Sequence, residues 1–135
     1  MTKIVSTPNC GNSPKMELLT QFNIAFAKAD INFLTEHVTD DIEWNIMGDK
    51  HLIGKNQFIE HLENIKGKKV AELTIFQVLS HGKEGAANGL LKMPDGQQYS
   101  FADFYRFHGA KNVRIKAITS YCIFRPDLNS DSGNT

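Results

Sequence analysis

The sequence predicts an α+β domain in which helices pack against one face of a strongly curved antiparallel sheet. Three observations indicate this class. Apolar residues recur every three or four positions near the N-terminus, they alternate from Ile42, and turn residues separate the strand-like segments of the second half of the chain. The 135 residues suffice for a single domain whose core needs no disulfide or metal. We place this domain at residues 14–126, between flexible termini at 1–13 and 127–135.

Three helices are predicted in the first half of the chain. The first begins at Ser13 and Pro14, because a serine oxygen can accept a free backbone N–H and proline suits the first helical position. A short second helix follows Asp30. The third follows Gly54 and ends at Gly67, where we expect a left-handed cap.

Strands account for most of the rest of the sequence. One strand starts near Ile42, and four more follow at residues 70–80, 84–93, 98–107 and 113–124. The strand at 70–80 is apolar on both faces: Leu73, Ile75 and Leu79 lie on one face and Phe76 and Val78 on the other. In an antiparallel sheet with one face on the core and the other in water, apolar and polar residues should alternate. Because they do not alternate here, the second face is predicted to meet either a second copy of the chain or a covering helix.

Composition argues against several classes of function. The 15 basic and 15 acidic residues balance, so nucleic acid is not an expected partner. No apolar stretch approaches the length of a membrane span, and the polar N-terminus does not resemble a signal peptide. Two cysteines in a chain of this length suit a reducing cytoplasm. The five histidines form no metal-ligand pattern and no glycine-rich phosphate loop occurs, so neither metal nor cofactor is expected.

The most informative segment is the strand at 98–107, where a period of two puts Tyr99, Phe101, Asp103, Tyr105 and Phe107 on one face. If this face is concave, burial among aromatic rings raises the pKa of the carboxyl and makes it an acid/base group near neutral pH. The alternative is that Asp103 pairs with a basic residue at the sheet edge or accepts structural hydrogen bonds.

Two further ambiguities concern which side chains face inward. Trp44 and Asn45 are adjacent on a strand, so only one of them can do so: Asn45 would be a polar anchor in a cavity, whereas Trp44 would belong to the core. In the last strand, Ile118, Ser120 and Cys122 alternate with the opposite set, and a bulge near Ala117 would exchange the two faces.

Three segments carry a family resemblance. They are Phe-Asn-Ile-Ala-Phe-Ala-Lys-Ala-Asp-Ile-Asn-Phe at 22–33, Asp-Asp-Ile-Glu-Trp-Asn-Ile-Met-Gly at 40–48 with Gly54 six residues on, and Asp-Phe-Tyr-Arg-Phe-His-Gly at 103–109. Their order and spacing resemble the SnoaL-like branch of the nuclear transport factor 2-like superfamily. This group of cystatin-like, cone-shaped α+β barrels includes ketosteroid isomerase, scytalone dehydratase and limonene epoxide hydrolase. The resemblance spans residues 14–124.

Ketosteroid isomerase gives the sharpest comparison, because its oxyanion hole combines a tyrosine with a protonated aspartic acid. The resemblance puts Asp103 at the position of that acid, but Phe22 at the tyrosine, Asn45 at the general base and Leu62 at a supporting tyrosine. Phenylalanine cannot donate a hydrogen bond, and asparagine cannot take a proton at neutral pH. Steroid isomerisation is therefore not expected.

The resemblance still implies a largely apolar pocket for a small hydrophobic or aromatic ligand. Asp103 is the candidate catalytic residue, a proton donor whose counterpart is His61 or a water in an isomerase, dehydratase or hydrolase type of step. The candidate binding residues are Phe22, Phe26, Trp44, Asn45, Phe58, His61, Leu62, Tyr105 and Ile118. The alternative is a non-catalytic interaction module, a homodimer or a partner-binding domain, whose nine phenylalanines fill the cone.

Overall fold

The computed structural model describes residues 2–6 and 13–129. In chain order the elements are β1 (Lys3–Ser6), α1 (Pro14–Lys28), α2 (Ile31–Glu36), β2 (Val38–Ile46), β3 (Lys50–Ile53), α3 (Lys55–Ile65), β4 (Glu72–His81), β5 (Glu84–Lys92), β6 (Gln98–Gly109), β7 (Asn112–Phe124) and α4 (Pro126–Asn129). The strands form one sheet in the order β1-β4-β5-β6-β7-β2-β3. The predicted class, helices packed on a curved sheet, is confirmed.

Most neighbouring strands are antiparallel, but β1 pairs with β4 and β2 pairs with β7 in parallel. Register shifts interrupt the β2–β7, β4–β5 and β6–β7 ladders. Because a bulge bends its strand and increases the local twist, these shifts curve the sheet around the core. Within the described part of the chain, no helix combines the length and apolar character needed to cross a membrane.

The predicted helix starts follow from local chemistry. The Ser13 hydroxyl accepts the Met16 N–H at 3.4 Å, and the Asp30 carboxylate accepts the Phe33 N–H at 3.2 Å. The predicted cap at Gly67 is wrong, because this glycine does not adopt a positive φ. Instead, the Lys68 N–H bonds to the Ile65 carbonyl at 2.9 Å, a tight final turn that needs no left-handed residue.

The N-terminal segment departs from its expected looseness. Lys3–Ser6 form a strand, and the Lys3 N–H donates to the Ala71 carbonyl at 2.9 Å. The Thr2 hydroxyl also donates to the Val70 carbonyl at 2.7 Å. These bonds satisfy backbone groups beside β4 that would otherwise form an open sheet edge. The other predicted terminal residues, 1, 7–12 and 130–135, lie outside the described part of the chain.

A bulge in β4 reverses two predicted face assignments, those of Val78, expected beside Phe76, and of Leu79. The register shifts between Ile75 and Gln77, so Val78 joins Leu73 and Ile75 in the core. Phe76 and Leu79 instead point outward and are 50% and 59% exposed. Leu79 was expected on the face of Leu73, but a period of two does not continue through a bulge. The resulting outer face is apolar and is not covered by a described helix.

One lysine is buried at the turn end of the sheet. Lys15, 8% exposed, donates to the carbonyls of Gly82, Gly109 and Ala110 at 2.5, 3.1 and 2.7 Å. Its ammonium group also lies 4.7 Å from the centre of the Phe107 ring. These contacts join α1 to the β4–β5 and β6–β7 turns, and they supply the hydrogen bonds that a buried ammonium group requires.

Candidate functional site

A cavity of about 280 Å³ lies between the helices and the concave face of the sheet. At roughly 30 Å³ per molecule, this volume corresponds to about nine waters, so the phenylalanines do not fill the cone. The apolar lining residues include Phe22, Phe26, Leu34, Trp44, Ile46, Phe58, Leu62, Ile65, Leu73, Leu91, Phe101 and Ile118. Polar side chains are contributed by Asn23, Asp49, His61, Asp103, Tyr105, Ser120 and Cys122.

Most of the candidate residues named from the sequence meet in this cavity. Those that line it are Phe22, Phe26, Trp44, Phe58, His61, Leu62, Asp103, Tyr105 and Ile118. Asn45 does not line the cavity, and its expected role as a polar anchor is wrong. Its neighbour Trp44 points inward instead, and adjacent residues on a strand face opposite ways. The Trp44 ring is held by Phe26, Phe58 and His61, whose ring centres lie 6.1, 5.6 and 5.4 Å away.

Polar side chains from three strands and a helix form a hydrogen-bonded network around Asp103. The Tyr105 hydroxyl donates to Asp103 Oδ2 at 3.3 Å, and Asn23 Nδ2 donates to the Tyr105 oxygen at 3.0 Å. On the other side, Ser120 lies opposite Asp103 in the β6–β7 register and hydrogen-bonds its carboxyl group. Trp44 Nε1 donates to the Ser120 oxygen at 2.9 Å. The carboxyl group is therefore held in a fixed orientation in the cavity wall.

Burial gives Asp103 an unusual protonation equilibrium. Loss of solvation raises the pKa of this carboxyl to about 6, although the hydrogen bonds from Ser120 and Tyr105 act in the opposite direction. Burial likewise raises the pKa of Tyr105, with a further contribution from the nearby Asp103 charge. Tyr105 thus remains a hydrogen-bond donor near neutral pH, whereas Asp103 exchanges its proton there.

The opposite part of the lining contains His61 and Asp49. Burial, followed by the positive charge of Lys50, lowers the pKa of His61, and Asp49 partly opposes this shift. His61 is therefore neutral near pH 7. Asp49 and Cys122 are exposed lining residues and mark the mouth of the cavity. Although the residue is exposed overall, partial burial of its thiol, followed by the Asp103 charge, raises the pKa of Cys122 and keeps the thiol protonated.

Sequence reasoning missed the polar partners of Asp103. Asn23 lies on α1 beside Phe22. Its side chain is only 7% exposed, and this burial, which the sequence does not indicate, brings it to Tyr105. Ser120 and Cys122 belonged to one of two alternatives left open for the last strand. The β6–β7 register pairs Arg106 with Ala117 but Phe107 with Ile115, so the bulge skips one residue there and Ile118, Ser120 and Cys122 line the cavity.

Among the described residues, no three histidine, cysteine, aspartate or glutamate side chains are grouped to share a metal ion. The chemistry available in the cavity is therefore that of a carboxyl group near its pKa, a neutral imidazole, hydroxyl groups and a largely aromatic wall.

No protein-family model and no curated protein sequence matches this chain. Solved structures do match it. An NTF2-like protein of unknown function from Cytophaga hutchinsonii ATCC 33406 is 27% identical, with a TM-score of 0.62, and the match covers 81% of this chain and 99% of that one.

Two more distant structures share the fold. An LEH-like epoxide hydrolase from M. tuberculosis is 15% identical, with a TM-score of 0.67 over 87% of this chain and 86% of the other. A hypothetical protein with a ketosteroid isomerase-like fold from Catenulispora acidiphila DSM 44928, in complex with trimethylamine, is 16% identical, with a TM-score of 0.64 over 82% and 86%. The curved sheet and the helices packed against it form the cone-shaped fold of these structures, and the chain belongs to the nuclear transport factor 2-like superfamily.

Proposed function

We propose that the protein binds a small, largely apolar ligand in the cavity and that Asp103 is the polar anchor of that ligand. The observation that carries this proposal is a fixed carboxyl group with a pKa of about 6 in a wall of aromatic side chains. Cavities of this kind, mostly apolar with a few convergent polar groups, are typical of small-molecule sites. The volume of about 280 Å³ suits a ligand of about ten non-hydrogen atoms, since it corresponds to roughly nine times the share of a water molecule.

Turnover in this cavity would use Asp103 as the acid/base group. A carboxyl group near its pKa can give a proton to a leaving oxygen or take one from carbon or water. The Tyr105 hydroxyl would stabilise the ionised form of Asp103. When Asp103 gives its proton to the ligand, neutral His61 in the same lining would accept the proton that the ligand or an attacking water loses. This set of groups suits an isomerase, dehydratase or hydrolase step. It differs from ketosteroid isomerase, since Phe22 cannot supply the donor of an oxyanion hole.

A thermal-shift screen of small ring-containing compounds tests this proposal. A ligand at a hundred times its dissociation constant stabilises the native state by about 2.7 kcal/mol, which raises the melting temperature by several degrees. Leu62→Trp places a larger ring in the cavity and should abolish the shift, whereas Glu60→Trp on the exposed side of the same helix should retain it. The proposal is wrong if no compound stabilises the wild-type protein, or if Leu62→Trp responds as the wild type does.

The apolar outer face of the sheet favours a second role, self-association. Phe76, Leu79, Phe104, Tyr121 and Ile123 are between 41% and 62% exposed on this face. Exposed side chains of this size over several strands are typical of protein interfaces. We propose that two copies of the chain pack through this face.

Light scattering tests the self-association directly. The 15.2 kDa chain should have twice its monomer mass at micromolar concentration. Phe104→Glu introduces a charge at the centre of the outer face and should give monomers, because an unpaired charge is costly to bury in an interface. Gln21→Glu, an exposed change on α1, should leave the dimer intact. A wild-type chain that remains monomeric at high concentration would contradict the proposal.

A further inference from the structure

We propose that the cavity selects a small organic cation, an alkyl- or arylammonium ion, over neutral and anionic ligands of the same shape. This inference rests on the proposed function, because it names the ligand class of the same cavity. It follows from the charges and ring arrangement of the lining.

The ionisable groups of the lining are negative or neutral near pH 7. Asp103 and Asp49 are carboxylates, His61 is neutral, and no lysine or arginine of the described segments lines the cavity. None of the ion pairs between described residues includes Asp103. The groups that bond Asp103, Tyr105 and Ser120, are neutral donors. An ionised Asp103 is therefore a buried negative charge without a positive partner in the part of the chain that the structure describes.

Such a charge is costly unless a counter-charge reaches it. An ammonium ligand supplies that counter-charge, whereas an anionic ligand adds a second negative charge in the same low-dielectric space. On charge alone, the cavity should therefore bind the cation most tightly, the neutral compound less tightly and the anion least tightly.

The aromatic part of the wall is suited to the same ligand. Phe22 and Tyr105 form a pair at 87°, Phe26 and Trp44 a pair at 84°, and Phe58 is tilted by 52° against Trp44. Aromatic rings that surround a common space form the cages in which proteins hold quaternary ammonium groups. A cation near a ring face gains from the ring quadrupole, and this gain is larger away from water. A neutral isostere gains only the apolar contact.

Calorimetry with two isosteric probes separates these contributions. Phenyltrimethylammonium and tert-butylbenzene have the same shape and differ by one positive charge. Near pH 7.5 the wild-type protein is expected to bind the cation at least about tenfold more tightly. The quaternary ammonium group has no N–H to donate, so its gain comes from the charge of the ionised carboxylate and from the ring faces. Asp103→Asn should weaken binding of the cation by about ten- to a hundredfold and change binding of the neutral probe by less than about threefold. Glu60→Gln removes an equal charge from the exposed face of α3 and should change neither.

The pH dependence of the same binding adds a second criterion. The quaternary probe has no proton to lose, so its affinity should fall as Asp103 takes up a proton below about pH 6. Of the other titratable groups of the lining, Tyr105 and Cys122 remain neutral, and His61 takes up a proton only in more acidic solution because its pKa is lowered. Asp103→Asn retains His61 and Asp49, so its pH profile should be flatter than that of the wild type.

The outcomes distinguish this inference from the proposed function. If tert-butylbenzene binds as tightly as the cation, or if Asp103→Asn leaves the ratio unchanged, cation selection is wrong while the cavity remains a ligand site. If neither probe binds and the thermal-shift panel also gives no hit, the ligand site itself is wrong. A preference for the cation that disappears in Asp103→Asn supports both.

Discussion

Asp103→Asn is expected to stabilise the protein at pH 7 by about 3 kcal/mol. The pKa of this carboxyl is about 6 in the native protein and close to its ordinary value of 3.8 in the unfolded chain. The native state therefore binds the proton more tightly than the unfolded state does. The stabilising contribution of protonated Asp103 is complete below pH 3.8, is lost as the pH rises towards 6, and is absent above it.

Urea unfolding between pH 4 and 8 measures this effect, with Trp44 as the fluorescent reporter. The wild-type free energy of unfolding should fall relative to that of Asp103→Asn across this range and then become parallel to it. Asp95→Asn, at the exposed β5–β6 turn, should follow the wild-type profile. Wild-type and Asp103→Asn curves that remain parallel from pH 4 to 8 would show that Asp103 has no raised pKa.

Gly89→Ala is expected to destabilise the protein by more than about 4 kcal/mol or to prevent folding. Gly89 lies on β5 between Ile75 of β4 and Phe101 of β6. A Cβ atom there would overlap the backbone carbonyl oxygen of Thr74 and would lie 3.0 Å from the Phe101 ring. The carbonyl oxygen belongs to a paired strand next to the β4 bulge, so it cannot move without breaking the β4–β5 ladder.

Gly67→Ala is the matched control for this substitution. Gly67 follows α3 and has no positive φ, and a methyl group added to its Cα would meet no described atom within 4 Å. We expect its free energy of unfolding to stay within about 0.5 kcal/mol of the wild type. If the free energy of unfolding of Gly89→Ala lies within about 1 kcal/mol of the wild-type value, β4 and β5 do not approach each other so closely.

The parts of the fold that depend on nearby residues were predictable from the sequence. Ser13 and Asp30 mark their helices because each side chain caps a backbone group three residues on. Asp103 and Tyr105 were placed on one face because β6 has no bulge of its own between them. The superfamily followed from the order of such segments and is confirmed by the solved structures.

The parts that depend on distant contacts were not predictable. The inward face of β7 is set by a register shift against β6, and the outward turn of Leu79 by a shift against β5. Neither register shift can be recognised from the alternation of apolar and polar residues in the sequence. Lys15 is buried because carbonyl groups from two turns, 67 to 95 residues away, converge on its ammonium group. Nothing in the sequence around Lys15 indicates those partners.

The most direct test of the account uses the single tryptophan of the chain. Trp44 lines the cavity, and its indole N–H donates to Ser120, which bonds Asp103. The protein therefore has one indole N–H resonance, and this resonance reports on the proposed site. We expect it to shift saturably when the hits of the thermal-shift screen, or phenyltrimethylammonium, are titrated into the protein. An indole resonance that stays fixed while such a compound saturates the protein would contradict the assignment of the cavity as the ligand site.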